Sequence, residues 1–130
     1  VLRQGKDISI ITYGAAVCKT LDAAAALASM GIDAEVIDLR VLRPLDETTI
    51  FNSVKKTHRV LLVEEAWGSV NVSSEVCARI MENVFYELDA PVQRLGGVEV
   101  PIPYPKHLED ASIPQTTGII NKVKKMLQHD

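Results

Sequence analysis

The first forty residues contain two apolar runs separated by a segment rich in alanine. Residues 8–12 are apolar and mostly β-branched, Gly14 follows them, and strong helix formers then occupy residues 15–30. Gly31 stands where a helix would end, and a second apolar run covers residues 34–39. Strand, helix and strand in this order predict a βαβ unit, in which the two strands are parallel.

The same alternation continues along the chain. Asp46 is a good N-cap for a helix over residues 47–57, and the apolar residues 60–63 predict a strand that is buried on both faces. Residues 69–88 are expected to be mostly helical, because apolar side chains recur at every fourth position. These side chains are Val72, Val76, Ile80, Val84 and Leu88.

The remaining elements complete an α/β pattern. Residues 92–95 predict a last strand, and Ser112 is the expected N-cap of a final helix. Prolines alternate with apolar residues in the arm, which we define as residues 98–105, so we expect the arm to be extended and packed on the domain. With residues 1–3 as a short edge strand, the sequence predicts a three-layer α/β/α domain with about five strands.

Composition excludes several classes of protein. A chain of 130 residues is one domain, and its net charge of −3 argues against general nucleic-acid binding. No apolar run approaches the roughly 20 residues that a membrane-spanning helix needs. Cys18 and Cys77 have no metal-binding or redox spacing and are expected to be unpaired thiols in a reducing compartment. Because the chain does not start with Met, we expect it to be a piece of a longer protein.

Few residues suggest chemistry. Gly14 could open a phosphate-binding turn, although the glycines of a dinucleotide fingerprint are missing, and a plain strand-to-helix turn is the favoured interpretation. Glu64 and Glu65 follow a strand at the edge where ligands bind in open α/β sheets. Adjacent residues on a strand point to opposite faces, so we do not expect a working carboxylate pair, and a solvated loop is favoured.

The histidines and the single tryptophan are ambiguous. His58, His107 and His129 lack the spacing of a metal site and are expected at the surface. Trp67 could anchor a partner protein or cover the core beside the sheet edge, and the sequence favours neither. From its residues alone, the chain resembles a module that packs against something else more than it resembles a complete active site.

Several strings do resemble a known family. ISIITYG, AAALASMGIDAEVIDLRVLRPLD and SVKKTHRVLLVEE are similar to the C-terminal domain of transketolase-like enzymes that depend on thiamine diphosphate. The tail, LDAPVQRLGGVEVPIPYPKHLEDASIP, is similar to the β subunits of pyruvate dehydrogenase E1 components, and VPIPY favours pyruvate among the 2-oxo acids. The resemblance covers nearly the whole chain.

The resemblance implies a three-layer domain with a five-stranded, mostly parallel mixed sheet in which one strand is antiparallel. It implies that residues 1–130 are the single C-terminal domain of a longer β subunit, without the N-terminal domain that binds the pyrimidine side of thiamine diphosphate. Catalytic, cofactor-binding and metal-binding residues are therefore expected outside this chain, which alone should be inactive. The full enzyme would use thiamine diphosphate and magnesium.

The same resemblance implies a role in assembly. The expected partners are the E1 α subunit, a second β subunit in an α₂β₂ heterotetramer, and the subunit-binding domain of the dihydrolipoyl acetyltransferase core. Asp89 in the LDAP string would contact basic side chains of that last domain, although an aspartate there could also be only a turn residue. The C-terminal residues Gln128, His129 and Asp130 would belong to the same surface.

Two other functions remain open at this point. The chain could come from the β subunit of another 2-oxo acid or acetoin dehydrogenase. It could also be a free-standing module that binds a nucleotide or anion at the Gly14 turn. If the resemblance holds, the compartment is the bacterial cytoplasm or the mitochondrial matrix.

Overall fold

The computed structural model describes residues 1–128. Its elements are strand β1 (Ile8–Thr12), helix α1 (Ala16–Ser29), strand β2 (Ala34–Asp38), helix α2 (Glu47–Thr57), strand β3 (Val60–Trp67), helix α3 (Val72–Val84), strand β4 (Gln93–Gly97), helix α4 (Lys106–Ser112) and helix α5 (Thr116–Leu127). A short 3₁₀ turn, Phe85–Glu87, follows α3 directly.

The four strands form one parallel sheet in the order β2-β1-β3-β4. The predicted βαβ unit is confirmed, because β1 and β2 pair in parallel on either side of α1. The expectation of a five-stranded mixed sheet is wrong for residues 1–128. Arg3 forms only an isolated antiparallel bridge with Val36, since the chain turns toward β1 at once and leaves no room for a longer ladder.

Helices cover both faces of the sheet, which confirms the three layers. On one face, α1 and α5 pack through small or branched side chains, including Ala23, Ala24 and Ile119, against Ile8 and Leu61. On the other face, α2 and α3 pack against the alternate strand residues. The core of that second face includes Ile11, Ile37, Ile50, Val54, Leu62, Val76 and Ile80. Strands β1 and β2 and the first residues of β3 are thus buried on both sides, as their largely apolar sequences require, whereas the edge strand β4 is only partly buried.

A buried polar network lies near the amino-terminal ends of the strands. Ser53 Oγ donates to Glu35 Oε1 at 2.5 Å, Gly5 N–H donates to Glu35 Oε2 at 3.3 Å, and Lys56 Nζ pairs with the same carboxylate. Burial favours the neutral acid, but the bonds from Lys56, Ser53 and Gly5 outweigh it and lower the pKa of Glu35. Glu35 therefore stays ionised in the interior and ties α2 to β2.

Helix α3 is shorter than the predicted segment 69–88. It begins at Val72 because Asn71 caps it, with Ser74 N–H donating to Asn71 Oδ1 at 2.9 Å. Its predicted apolar stripe is confirmed where Val76, Ile80 and Val84 are buried. The α-helix ends at Val84 and the 3₁₀ turn follows it, so helical structure stops before residue 88.

The C-terminal third departs most from expectation. The arm has no strand pairing, but it bends at residues 99–100 and 104–105, where a fully extended arm was expected. Val98, Val100, Ile102 and Tyr104 are exposed, so the expectation that it packs on the domain is wrong within this chain. Helix α4 was not predicted. Ser112 ends α4 and does not cap the final helix, which begins at Thr116 after Gln115.

Candidate docking surface

The segment that contains Asp89 lies at the amino-terminal ends of the strands, in the chain between the 3₁₀ turn and β4. Asp89 N–H donates to His58 C=O at 2.9 Å, and His58 Nδ1 lies 2.7 Å from Glu87 C=O. His58 lies two residues before β3, so these two contacts hold the backbone around Asp89 near the start of a buried strand. The backbone of Asp89 is therefore tied to the start of the core strand β3.

The Asp89 side chain itself is available to solvent. It is 57% exposed, and its Oδ2 lies 4.0 Å from Arg59 Nη1, which belongs to a largely buried side chain. At this distance and exposure the ion pair stabilises the fold by about 1 kcal/mol or less, which is the usual contribution of an ion pair at a protein surface. Asp89 thus places a carboxylate on the surface, on a backbone that is hydrogen-bonded to His58.

Two grooves flank the Asp89 segment. The α3 groove has a volume of about 460 Å³. It is lined by Cys77, Met81, Phe85, Leu88, Asp89, Ala90, Pro91 and Val92. The α5 groove has a volume of about 260 Å³ and is lined by Ala90, Pro91, Gln93, Lys122, Lys125 and Met126. Ala90 and Pro91 line both grooves, so the two form one continuous surface beside the edge strand β4.

This arrangement brings the end of α5 close to the Asp89 segment. Lys125 and Met126 lie in the last turns of α5, and Gln128 is its exposed C-cap, with its N–H donating to Lys124 C=O at 3.1 Å. The predicted residues His129 and Asp130 lie outside the described residues. Asp89 and Gln128 therefore belong to neighbouring parts of one end of the molecule.

Glu64 and Glu65 lie toward the opposite, carboxyl-terminal ends of the strands. Glu64 is buried; it accepts from Tyr13 Oη at 2.6 Å and from Ser73 N–H at 3.1 Å. Burial of Tyr13 and its bond to Glu64 raise the pKa of the phenol to about 12. Glu65 points to the other face, 3.7 Å from Lys19 Nζ. The prediction that Glu64 and Glu65 point to opposite faces is confirmed. The expectation of a solvated loop is wrong for Glu64, because β3 extends to Trp67 and this residue is buried.

The remaining sequence candidates do not converge on one site. Gly14 forms the turn before α1 with a φ of +65°, a conformation that glycine adopts without strain. Trp67 ends β3 and is about half exposed. Across residues 1–128, no three His, Cys, Asp or Glu side chains are grouped closely enough to hold a metal ion.

The cysteines and the apolar character of the helices were also predicted from composition. Cys18 and Cys77 are both free thiols, as expected, and they lie on different helices. Within the described part of the chain, no helix has the length and apolar character required to cross a membrane.

Sequence reasoning missed the apolar wall of the α3 groove. Cys77, Met81 and Phe85 follow one another at every fourth residue: Cys77 and Met81 lie on one stripe of α3, and Phe85 begins the 3₁₀ turn that follows it. This stripe runs beside the core stripe of Val76, Ile80 and Val84 and differs from it only in being partly exposed. A helix with apolar residues on two adjacent stripes is the signal that could have revealed the groove.

Comparison with known proteins identifies close relatives. The chain is 51% identical over 128 residues to the Drosophila melanogaster mitochondrial pyruvate dehydrogenase E1 component subunit beta, covering 98% of this chain and 35% of that protein. It is 47% identical over 126 residues to the human mitochondrial subunit, covering 96% and 35%. With the Rickettsia felis subunit it shares 41% identity over 126 residues, covering 97% and 39%. The chain thus spans about a third of the length of these relatives.

Solved structures show the same fold. A split-gene transketolase described as an inactive β4 tetramer matches with a TM-score of 0.86 and 29% identity, covering 98% of this chain and 41% of that chain. A 2-oxoglutarate:ferredoxin oxidoreductase from Magnetococcus marinus matches with a TM-score of 0.62 at 15% identity, covering 94% and 18%, which supports the fold alone. The family described as Transketolase, C-terminal domain, matches residues 1–119, and the chain therefore belongs to the transketolase C-terminal domain family.

Proposed function

We propose that this chain is the C-terminal assembly domain of a pyruvate dehydrogenase E1 β subunit. The observation that carries the proposal is its identity of 41–51% with such subunits over nearly its whole length. The complete enzyme would decarboxylate pyruvate on thiamine diphosphate and transfer the acetyl group to a lipoyl group. The matching relatives are named mitochondrial in Drosophila and human and also occur in Rickettsia, which supports a mitochondrial matrix or bacterial cytoplasmic location.

Thiamine diphosphate and magnesium would be bound elsewhere in the holoenzyme. Glu64, the buried carboxylate nearest to a ligand-binding edge, is hydrogen-bonded by Tyr13 and by the start of α3, which favours a structural role for it. Glu35 is likewise engaged by Lys56 and Ser53. The contribution of this domain to catalysis would therefore be to hold the assembly together.

The assembly would contain an E1 α subunit and a second β subunit, and it would dock the subunit-binding domain of a dihydrolipoyl acetyltransferase. We place that docking on the surface around Asp89 and Gln128, together with His129 and Asp130. Support comes from the exposed Asp89 carboxylate on a backbone fixed by His58, and from the adjacent end of α5. An exposed carboxylate on a hydrogen-bonded backbone suits recognition of a basic partner, because little backbone order must be gained on binding.

A lysine or arginine of the partner would form a charge-assisted hydrogen bond with Asp89. At a partly desolvated interface, removing one member of such a pair costs on the order of 2 kcal/mol or more. The Arg59 contact would not prevent this interaction, because the 57% exposure of the Asp89 side chain leaves it room for a second partner.

The test uses an α₂β₂ enzyme whose β subunit carries Asp89→Asn. Binding to the subunit-binding domain, measured by calorimetry from low to high salt, should weaken by about 30-fold (about 2 kcal/mol) and lose part of its salt dependence. Decarboxylation with an artificial electron acceptor should be nearly unchanged.

Asp33→Asn provides the matched control. Asp33 is also partly exposed and lies 3.7 Å from an arginine, Arg3, but it precedes β2, at the other edge of the sheet from β4. The control should bind like the wild type. Wild-type affinity for Asp89→Asn at every salt concentration would show that Asp89 is only a turn residue. Comparing pyruvate with branched-chain 2-oxo acids and acetoin would test the alternative dehydrogenases.

A further inference from the structure

The α3 groove has an apolar wall that is left uncovered by the rest of the described chain. Met81 is 42% exposed and Phe85 is 49% exposed, and Tyr86 stacks edge-on against Phe85 with ring centroids 5.3 Å apart. Single exposed apolar residues are ordinary on protein surfaces, but a grouped set around a cleft is typical of an interaction site. The opposite wall, from Leu88 to Val92, is also mostly apolar.

The groove combines this apolar interior with negative charge. Of the described residues that line it, only Asp89 is charged. An occupant that complements the groove would carry an apolar side chain for the interior and a positive charge for Asp89. Interfaces of this kind draw most of their binding energy from a few buried anchors, surrounded by polar contacts that contribute less.

We propose that the α3 groove is an anchor site, which takes an exposed apolar side chain of the docking partner from a segment that also carries a lysine or arginine for Asp89. This inference rests on the proposed docking function. It adds that the interaction is only partly electrostatic, because Met81 and Phe85 lose solvent contact when the anchor enters. Apolar burial would then supply an affinity term that salt does not screen.

The first experiment compares Met81→Gln with Met30→Gln in the α₂β₂ enzyme. Glutamine is similar in length and helix propensity to methionine, so it changes mainly the polarity of the site. Met30, 50% exposed at the C-cap of α1, is a matched position outside the groove. Met81→Gln should weaken binding of the subunit-binding domain about tenfold at every salt concentration, with an unchanged salt slope. Met30→Gln should bind like the wild type.

The two cysteines provide a second, independent measurement. Cys77 lines the groove, whereas Cys18 lies on α1, which covers the opposite face of the sheet. Alkylation of the α₂β₂ enzyme, followed by mass spectrometry, should show that the subunit-binding domain slows modification of Cys77 several-fold. The rate at Cys18 should stay the same and serves as the internal control.

The outcomes separate this inference from the proposed function. If Asp89→Asn weakens docking while Met81→Gln does not, and Cys77 is not protected, the groove is not an anchor site but the docking proposal stands. If Asp89→Asn has no effect, the docking proposal itself fails. If Met81→Gln changes the oligomeric state of the enzyme without its partner, a second copy of the chain occupies the groove, and the inference is wrong.

Discussion

Substitution of Gly97 by alanine should destabilise the domain strongly. Gly97 is buried at the end of β4, and a Cβ atom placed there would lie closer than 3.0 Å to the Glu65 carbonyl oxygen and 3.2 Å from that of Ser112. Ordinary contacts begin at 3.4 Å, so backbone in β3 or at the end of α4 would have to move. Overpacking of this kind costs about 2–3 kcal/mol.

The same chemical change at Gly118 should have the opposite sign. Gly118 lies in the first turn of α5, and the nearest atom to an added Cβ is Leu95 Cδ2 at 4.0 Å, which is an ordinary contact. Alanine would there gain helix propensity without strain, which is worth about 0.5 kcal/mol. The two variants should therefore differ in stability by roughly 3 kcal/mol.

Urea unfolding followed by far-ultraviolet circular dichroism measures this difference. A domain of this size is expected to unfold in one transition, so the midpoints report the free energies directly when the slopes agree. Gly97→Ala with a midpoint equal to that of the wild type would refute the close approach of β4 to β3 at this residue. A destabilised Gly118→Ala would instead show that α5 does not pack beside Leu95 as described.

Three further predictions can be tested with the same chain. Because the pKa of Glu35 is lowered in the folded state, its ionised form should stabilise the wild type relative to Glu35→Gln above about pH 4.3. That difference should shrink as the pH falls further, and a difference that is constant with pH in urea titrations would contradict this. Tyr13→Phe should lower the unfolding free energy by about 1–2 kcal/mol, because Glu64 loses a hydrogen bond inside the protein, and an unchanged urea midpoint would show that this bond is dispensable. Calorimetric titration with thiamine diphosphate and magnesium should give no saturable binding to this chain alone, and a micromolar isotherm would overturn the placement of the cofactor elsewhere.

Local sequence patterns determined the type and order of most elements. Helix α2 lies where predicted, because Asp46 caps it and its apolar face repeats with the helical period. The strand around residues 60–63 was predicted because a strand buried on both faces must be continuously apolar. The parallel sheet followed from the order of elements alone. These features depend on residues that are close in sequence.

Features that depend on residues distant in sequence were decided only by the tertiary structure. The sequence favours a solvated loop at Glu64, whereas the fold buries this residue and brings Tyr13 and the start of α3 to its two oxygens. The sequence predicts a strand over residues 1–3, but a strand needs partners over several residues, and here Leu2 and Arg3 both bond to the single residue Val36. Helix α4 is a single short element after three prolines and has no strong periodic pattern.

The candidate site shows the same division. The resemblance of the LDAP string to a known family pointed to Asp89, but no local pattern could show that its backbone is fixed by His58, or that the end of α5 lies beside it. The α3 groove exists because Cys77 and Met81 face residues that follow the 3₁₀ turn. A cleft is formed by two surfaces, and the distance between them is fixed by core packing, which no stretch of sequence specifies by itself.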